Sequence, residues 1–376
     1  MAALLEYWAS DFYYPVITFS LAFSLRLCHD FRSIMRVGPM KVITSIPSEA
    51  LNEIAGVVHD LDLTGFSGVS TQENRHNPFL PLAIAATHSS RLELRTSVAI
   101  AFARSPMVSA GLAWDLQAAS SGRFTLGLGS QVKGHNVRRF SVPWSAPAPR
   151  LREYVQAVRA IWHCWHTGSQ LDYQGEHYQL SLMTPNFTPE PLNCPLPRIQ
   201  IAAVGPAMMK VAAEECDGVM LHAFCTSRYL STYIMPRLNQ GLNRADRNRK
   251  EFEISGGGFV ITGQDDAAVQ RQFEWVRTRI GFYGSTPAYW PVFKVHGLED
   301  LGFELNALSK KGQWQDMSTR ISDDLVHEFA AVGRFDEIAA EIEQHFGGTV
   351  DIVSLPNDTP KDLIEDILNL QTPFQK

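Results

Sequence analysis

Polar side chains with catalytic potential follow predicted strands at four places along the chain. These clusters read TQENRHNPF, AFARSP, GLGSQVKGHNVRRF and VGPAMMK in chain order. Glu73 and His76 of the first cluster are candidates for proton transfer, because partial burial can tune the pKa of a carboxylate or an imidazole. The same two residues also suit a structural role, as polar groups that cap the next helix.

The glycine-rich run 127–134 excludes two familiar phosphate-binding motifs. A Walker loop would need lysine where His135 stands, and a dinucleotide fingerprint would need a third glycine at the proper offset. The glycines permit a close backbone approach, and Lys133, His135, Asn136, Arg138 and Arg139 would suit the anionic tail of a ligand. A plain surface loop would have the same composition.

Gly205 and Pro206 begin a predicted helix directly after a strand, so the free backbone N–H groups there are suited to a phosphate. Such helix starts also occur without any ligand. The chain contains no HExxH motif, no paired-carboxylate motif and no supported Ser-His-Asp order. Redox chemistry on this scaffold would therefore need a cofactor.

Short β-rich runs alternate with longer helical patterns from Met40 onward, which predicts a single (β/α)8 barrel. The active site of such a barrel lies at the carboxyl ends of its strands. Segments 166–197 and 281–324 do not fit the repeating unit, and we expect both to be insertions over one end of the barrel. The predicted strands are 41–46, 66–70, 92–101, 124–129, 199–204, 218–221, 251–262 and 350–355.

Residues 1–39 are expected to be an N-terminal extension outside the fold, with Met40 as the natural start and residues 40–376 as the barrel. A helix docked on the surface is the alternative. The apolar stretch 15–28 is too short to cross a bilayer and has no basic region before it, so we expect neither a signal peptide nor a membrane anchor.

The formal net charge of −6 and the scattered Lys and Arg residues exclude an electrostatic footprint for nucleic acid. The 5 cysteines are irregularly spaced and include no CxxC pair. These features predict a reduced, cytoplasmic protein with no structural metal.

The segment TSVAIAFARSPMVSAGLAWDLQAASSGRFTLGLGSQVKGHN resembles the luciferase-like monooxygenase superfamily, especially its coenzyme F420-dependent branch. The resemblance continues through LREYVQAVRAIWHCW, IQIAAVGPAMMKVAAEECDGVMLHAFC and GFYGSTPAYWPV. It implies a TIM barrel with insertions that binds a flavin or deazaflavin at the carboxyl ends of the strands. Homodimers are usual in such families.

The resemblance also implies where the cofactor would bind. A non-prolyl cis peptide between Ser97 and Val98, followed by Ala99, would support the ring. The phosphate-binding loop would be Gly129, Ser130 and Gln131, with Lys133, His135 and Asn136 nearby. Gly205 and Pro206 would provide a second phosphate contact.

Two departures from the family pattern leave the proton-transfer group open. Related sugar-phosphate dehydrogenases have a histidine where this chain has Glu73, and a glutamate where it has Val132. Glu73, His76 and His222 are the substitutes that their positions suggest. Candidates for an apolar substrate pocket, which would otherwise pack the insertions, are Trp144, Phe187, Phe224, Tyr283 and Trp290.

The sequence therefore predicts an F420-dependent oxidoreductase that transfers a hydride between the deazaflavin and a small organic substrate. The first alternative is an FMN-dependent monooxygenase, because both ring systems occupy the same pocket. The second is a non-catalytic flavin-binding barrel, which the retained Gly129, Ser130 and Gly205 disfavour.

Overall fold

Parallel strands close into a barrel in the computed structural model, which describes residues 39–370. The barrel strands are β1 Lys41–Ser45, β2 Gly68–Thr71, β3 Glu93–Thr96 with its continuation Ala99–Ile100, β4 Phe124–Gly129, β5 Arg198–Ala203, β6 Gly218–Leu221, β7 Glu253–Gly256 and β8 Ile352–Ser354. β1 pairs with β2 and with β8, and β3 pairs with β4, so the sheet closes on itself. The predicted (β/α)8 fold is confirmed.

Helices surround the barrel because right-handed crossovers place each connection outside the parallel sheet. The first helix buries Ile54, Val58 and Leu61 against the strands, and Ser105 caps the third by accepting a hydrogen bond from the Val108 N–H. The surrounding helices are Ile54–Thr64, Phe79–His88, Pro106–Ala119, Pro147–Thr167, Pro206–Glu215, Met235–Arg244, Ile338–Phe346 and Lys361–Leu368.

The third strand is interrupted where the sequence predicted one continuous run over 92–101. A cis peptide bond joins Ser97 and Val98, as predicted, and the strand resumes at Ala99–Ile100 before a short 3-10 helix at Ala101–Ala103. Both halves pair with β4, with Leu94 opposite Phe124 and Ala99 opposite Leu128.

The predicted seventh strand, 251–262, is wrong as a single element. Its glycines turn the chain, because Gly256 and Gly257 have φ angles of 77° and 102°, which side chains rarely tolerate. A Cβ on Gly256 would also lie 2.5 Å from the Leu221 carbonyl oxygen. The chain therefore leaves the barrel after β7, and the strand Phe259–Gly263 pairs with Ala330–Arg334 outside it.

The second predicted insertion, 281–324, is the middle of a longer excursion between β7 and β8. The paired strands Phe259–Gly263 and Ala330–Arg334 bracket a group of helices. These helices are Asp266–Gly284, Trp290–Lys294, Glu299–Lys310, Trp314–Ser318 and Asp323–Phe329. Because the excursion starts at the carboxyl end of β7, its residues can reach the open end of the barrel.

The first predicted insertion, 166–197, does not cover that end. It follows the helix Pro147–Thr167, which returns the chain to the amino ends of the strands, and then packs along the outside of the barrel. The Trp114 indole donates to the Glu190 carbonyl at 3.3 Å, and the Gln117 amide donates to the Pro195 carbonyl at 2.7 Å. The prediction that both insertions lie over one barrel end is therefore wrong.

The predicted N-terminal extension lies outside the described residues, apart from Pro39, and so do the apolar stretch 15–28 and Cys28. Between residues 39 and 370, no helix combines the length and apolar character needed to cross a bilayer.

A network of charged side chains fills the amino end of the barrel. Glu253 lies at its centre, where Oε1 accepts a hydrogen bond from Lys41 at 2.8 Å and forms a salt bridge with Arg198 at 3.1 Å, and Oε2 accepts from Gln200 at 2.8 Å. Glu93 accepts hydrogen bonds from Lys41 at 2.6 Å and from the fully buried Arg95 at 3.1 Å, and it therefore links these two cations. Burial alone would raise the pKa of Glu253, but Arg95, Arg198 and Lys41 outweigh it and lower this pKa to about 2.

Glu253→Gln should lower the free energy of unfolding near neutral pH by about 2–4 kcal/mol, because it removes the negative charge that faces fully buried Arg95 and partly buried Lys41 and Arg198. The ionised carboxylate stabilises the fold fully above its ordinary pKa of 4.5, and this contribution disappears as the pH falls from 4.5 to about 2. Denaturant unfolding at several pH values would therefore show the wild-type and mutant proteins converging in acid.

Glu251→Gln is the matched control, because the Glu251 carboxylate is exposed beside the same strand. It should change the stability by less than about 0.5 kcal/mol. A Glu253→Gln deficit that stays constant down to the lowest pH would contradict the assignment of this stability to the ionised carboxylate.

Candidate active site

A cavity of about 440 Å³ opens at the carboxyl ends of the barrel strands. Its floor reaches into the barrel at Ile43 and Met220, and its wall includes Ser45, Ser97 and Ser354 at the ends of β1, β3 and β8. Parallel strands deliver these side chains to the same end, which is where barrels of this architecture place their active sites. The volume lies in the usual range for small-molecule sites.

Small and uncharged side chains create this space. Ala202, Ser255 and Gly256 occupy the positions from β5 and β7 that face the cavity, and no Lys, Arg, Asp or Glu of the described residues lines it. The long charged side chains of the barrel interior lie at the opposite end, around Glu253. The cavity is therefore an uncharged chamber inside an otherwise charged barrel.

The two residues of the cis peptide line the cavity, whereas Ala99 is buried and pairs with Leu128. Gly129 lies behind Val98, since a Cβ built on Gly129 would meet Val98 Cγ2 at 2.6 Å. Gly129 thus permits the close approach of β4 that allows Val98 to occupy its place in the wall.

The predicted phosphate loop follows β4 beside the opening. Gln131 has a φ angle of 56°, and the loop is held by buried Asn136, whose Nδ2 donates to the Ser130 carbonyl at 2.9 Å and to the Val132 carbonyl at 3.2 Å. Lys133 and His135 are exposed on the short helix that follows. None of these loop residues lines the cavity, so the loop would serve the outer part of a ligand.

The second predicted phosphate contact lies at the same end of the barrel. Gly205 caps the helix Pro206–Glu215 directly after β5, and β5 is the neighbour of β4. A Cβ on Gly205 would meet no atom within 4 Å, so its backbone faces open space. Two loops on adjacent strands thus present backbone groups beside the cavity.

Glu73 is fully engaged by other protein groups. Its Oε2 accepts from Arg104 Nη1 and from the Ile100 backbone N–H, both at 2.7 Å, and its Oε1 accepts from Arg104 Nη2 at 2.7 Å. Its own N–H donates to the Val98 carbonyl at 3.2 Å. This geometry favours the structural role for Glu73, in which it positions the third strand behind the cavity wall.

His76 is exposed and, with Ser48 and Glu49, lines a neighbouring pocket that shares Ser45 and Gln72 with the mouth cavity. Of the three predicted proton-transfer residues, only His222 lines the mouth cavity. The structure therefore does not bring Glu73, His76 and His222 together into one catalytic group.

His222 follows β6 and is held in one orientation. Its Nδ1 accepts a hydrogen bond from the Phe224 backbone N–H at 2.9 Å, and its ring lies 4.4 Å from Tyr283 and 4.9 Å from Tyr289. Burial lowers the pKa of His222 to about 4. Because a backbone N–H can only donate, the neutral ring carries its proton on Nε2.

Of the predicted pocket aromatics, only Tyr283 lines the cavity. Phe224 packs behind it, 4.6 Å from Phe329, and the Trp290 indole donates to the Gly284 carbonyl at 3.0 Å within the second insertion. Phe187 is 78% exposed on the first predicted insertion. Trp144 is half-buried outside the cavity lining.

Several lining residues were missed by sequence reasoning, including Gln72, Met220, Phe346 and Ser354. Gln72 and Ser354 lie at the end of a predicted strand, which was a usable signal. Phe346 was not accessible to such reasoning, because it belongs to a helix that a long excursion brings to the cavity.

One cluster of possible metal ligands among the described residues bears on the expectation of no structural metal. Glu153 of the helix Pro147–Thr167 and Glu176 and His177 of the first predicted insertion place their ligand atoms within 4.8 Å of one another. Glu153 Oε2 already accepts from the His177 N–H at 2.7 Å, so this carboxylate holds the first predicted insertion to the helix Pro147–Thr167.

The protein is a parallel (β/α)8 barrel. An uncharged cavity opens at the carboxyl ends of its strands, and a cis peptide at the third strand forms part of the cavity wall. The family described as luciferase-like monooxygenase matches residues 35–351, and the chain belongs to this family. Members of the family are oxidoreductases or monooxygenases.

Individual relatives span a wide range of similarity. An uncharacterised protein of Mycobacterium tuberculosis is 47% identical over 84% of this chain and 92% of its own length. A second protein of that organism, provisionally named a coenzyme F420-dependent oxidoreductase, is 30% identical over 74% of this chain and 83% of its own. The solved coenzyme F420-dependent tetrahydromethanopterin reductase of Methanopyrus kandleri is 17% identical, with a TM-score of 0.70 over 88% of this chain and 98% of its own.

The His222 ring should stay neutral, with its proton on Nε2, until the pH approaches about 4, because burial disfavours the charged form. Nitrogen-15 NMR of the imidazole, assigned by comparison with His222→Phe, measures both the tautomer and the midpoint. A midpoint at the ordinary value of 6.5, or a proton on Nδ1, would contradict this assignment.

Proposed function

We propose that this protein is a coenzyme F420-dependent oxidoreductase that transfers a hydride between the deazaflavin and a small organic substrate. The observation that carries the proposal is the uncharged cavity at the carboxyl ends of the strands, with Ser97 and Val98 in its wall and two backbone loops beside it. The 30% identical relative named as F420-dependent supports the choice of deazaflavin.

The residues present fit such a cofactor in two parts. A flat ring would contact the wall at Ser97 and Val98, where the side chains are small and uncharged. The anionic tail would reach the backbone around Ser130 and Gly205, with Lys133 and His135 exposed nearby to attract its charge. When bound, a deazaflavin supplies a two-electron hydride donor or acceptor, which no side chain of the cavity could provide.

This chain's own residues would orient the reactants and exclude water. The ion pair of Glu73 with Arg104 holds the third strand. Two helices between β7 and β8 cover one side of the cavity, one with Tyr283 and the other with Phe346. An enclosed, weakly polar site strengthens the hydrogen bonds made inside it. The hydrogen bond from the Phe224 N–H fixes the His222 ring, so its Nε2–H is an oriented hydrogen-bond donor in the cavity.

Titration of the purified protein with F420, followed by quenching of the cofactor fluorescence, tests this proposal against the FMN alternative. We expect saturable binding of F420 that is at least tenfold tighter than that of FMN, a difference of about 1.4 kcal/mol. Tighter binding of FMN would support the monooxygenase alternative, and binding of neither would exclude both enzyme functions.

Gly129→Ala should weaken F420 binding by roughly tenfold or more, because the added Cβ would lie 2.6 Å from Val98 Cγ2 and displace it from the wall. Gly56→Ala is the matched control. It makes the same chemical change on an exposed helix position where a Cβ meets nothing within 4 Å.

Circular dichroism and thermal unfolding of both variants separate a local effect from loss of fold. If folded Gly129→Ala bound F420 as tightly as Gly56→Ala does, the wall at Val98 would not be the cofactor site.

A further inference from the structure

The cavity wall opposite the cis peptide is built differently from the cofactor side. β6, which delivers His222, is separated from β3 by β4 and β5 on one side of the ring and by four strands on the other. His222 therefore faces the cavity from a different direction than Val98. Tyr283 of the second insertion, Val260 of the strand Phe259–Gly263 and Phe346 of the helix Ile338–Phe346 also line the cavity and add apolar surface.

His222 is a fixed hydrogen-bond donor beside this apolar surface. Its Nδ1 is occupied by the Phe224 N–H, and Tyr283 and Tyr289 pack against its ring, so the remaining polar atom is the Nε2–H. The groups in contact with the ring carry no formal charge. A fixed N–H donor recognises a carbonyl or hydroxyl oxygen.

Charge is excluded from the same chamber. No Lys or Arg among the described residues lines the cavity, and Arg104, which lies behind the third strand, is already paired with Glu73. Burying a carboxylate or phosphate without a cationic partner is strongly unfavourable. The lining therefore selects against anionic substrates as well as for a neutral oxygen acceptor.

We propose that the substrate is an uncharged, largely apolar carbonyl compound or the corresponding alcohol, whose oxygen accepts a hydrogen bond from His222 Nε2. The hydride transfer in this inference rests on the proposed function. In the reducing direction the carbonyl carbon accepts the hydride from a reduced deazaflavin, and the oxygen takes a proton from a solvent water at the open mouth of the cavity as the hydride arrives. His222 keeps its own proton and polarises the carbonyl group.

A pair of probes with similar shape and different charge tests the substrate class. Acetophenone presents a carbonyl oxygen on an apolar ring, and benzenesulfonate presents a permanent anion on the same ring. Calorimetric titration of the F420-saturated protein should give at least tenfold tighter binding of acetophenone, about 1.4 kcal/mol. Equal or tighter binding of benzenesulfonate would overturn the proposal.

Variants at His222 test the donor itself. His222→Phe keeps an aromatic ring but removes the N–H, and should weaken acetophenone binding by roughly threefold to tenfold, as expected for one hydrogen bond. His222→Gln retains an N–H donor at a similar reach and should recover most of that loss. F420 affinity should change by less than about twofold in both variants, because the cofactor lies against the other wall.

His59→Phe is the matched control, since His59 is exposed on the first helix and should leave both probes unaffected. A purely structural role for His222 would weaken both probes equally and would not be rescued by glutamine, and that result would overturn the proposal. If the wild-type protein bound no F420, the proposed function would fail. The same probe pair on the cofactor-free protein would then still test the charge selectivity.

Discussion

The ion network around Glu253 is the interaction on which the rest of the barrel depends. Lys41, Arg95 and Arg198 fill the amino end with long charged side chains, and Glu253 holds them together. The barrel interior can therefore be tightly filled at one end and open at the other. The open end is lined by serine, alanine and glycine, which leave the volume that a ligand needs.

Much of the barrel was predictable because strand and helix periodicities are local properties of the sequence. The position of the cis bond at Ser97 was also predictable, through resemblance. The seventh strand was not, because Phe259–Gly263 pairs with Ala330–Arg334, and such a distant partner leaves no periodic signal in either segment. The charged interior was likewise hidden, since Glu93 and Arg95 lie within a run that otherwise has the apolar pattern of a buried strand.

The candidate site was predictable in location but not in the role of each side chain. Glu73 and His76 share one loop in the sequence, yet in the structure Glu73 forms an ion pair with Arg104 and His76 is exposed. A salt bridge between residues 31 positions apart cannot be inferred from spacing. His222 was named only from its place after a strand, and its fixed tautomer follows from the Phe224 N–H, a contact that requires coordinates.

Family membership and local geometry answer different questions about this protein. One fold supports many chemistries, so the family defines a barrel with a ligand site but not the molecule that occupies it. The selectivity must come from the lining, where an oriented imidazole N–H stands among Tyr283, Phe346 and other uncharged groups. Because no Lys or Arg between residues 39 and 370 lines the chamber, an anion would lose its hydration there without a cation to replace it. The separation of charge to the amino end of the barrel thus sets the substrate class at the carboxyl end.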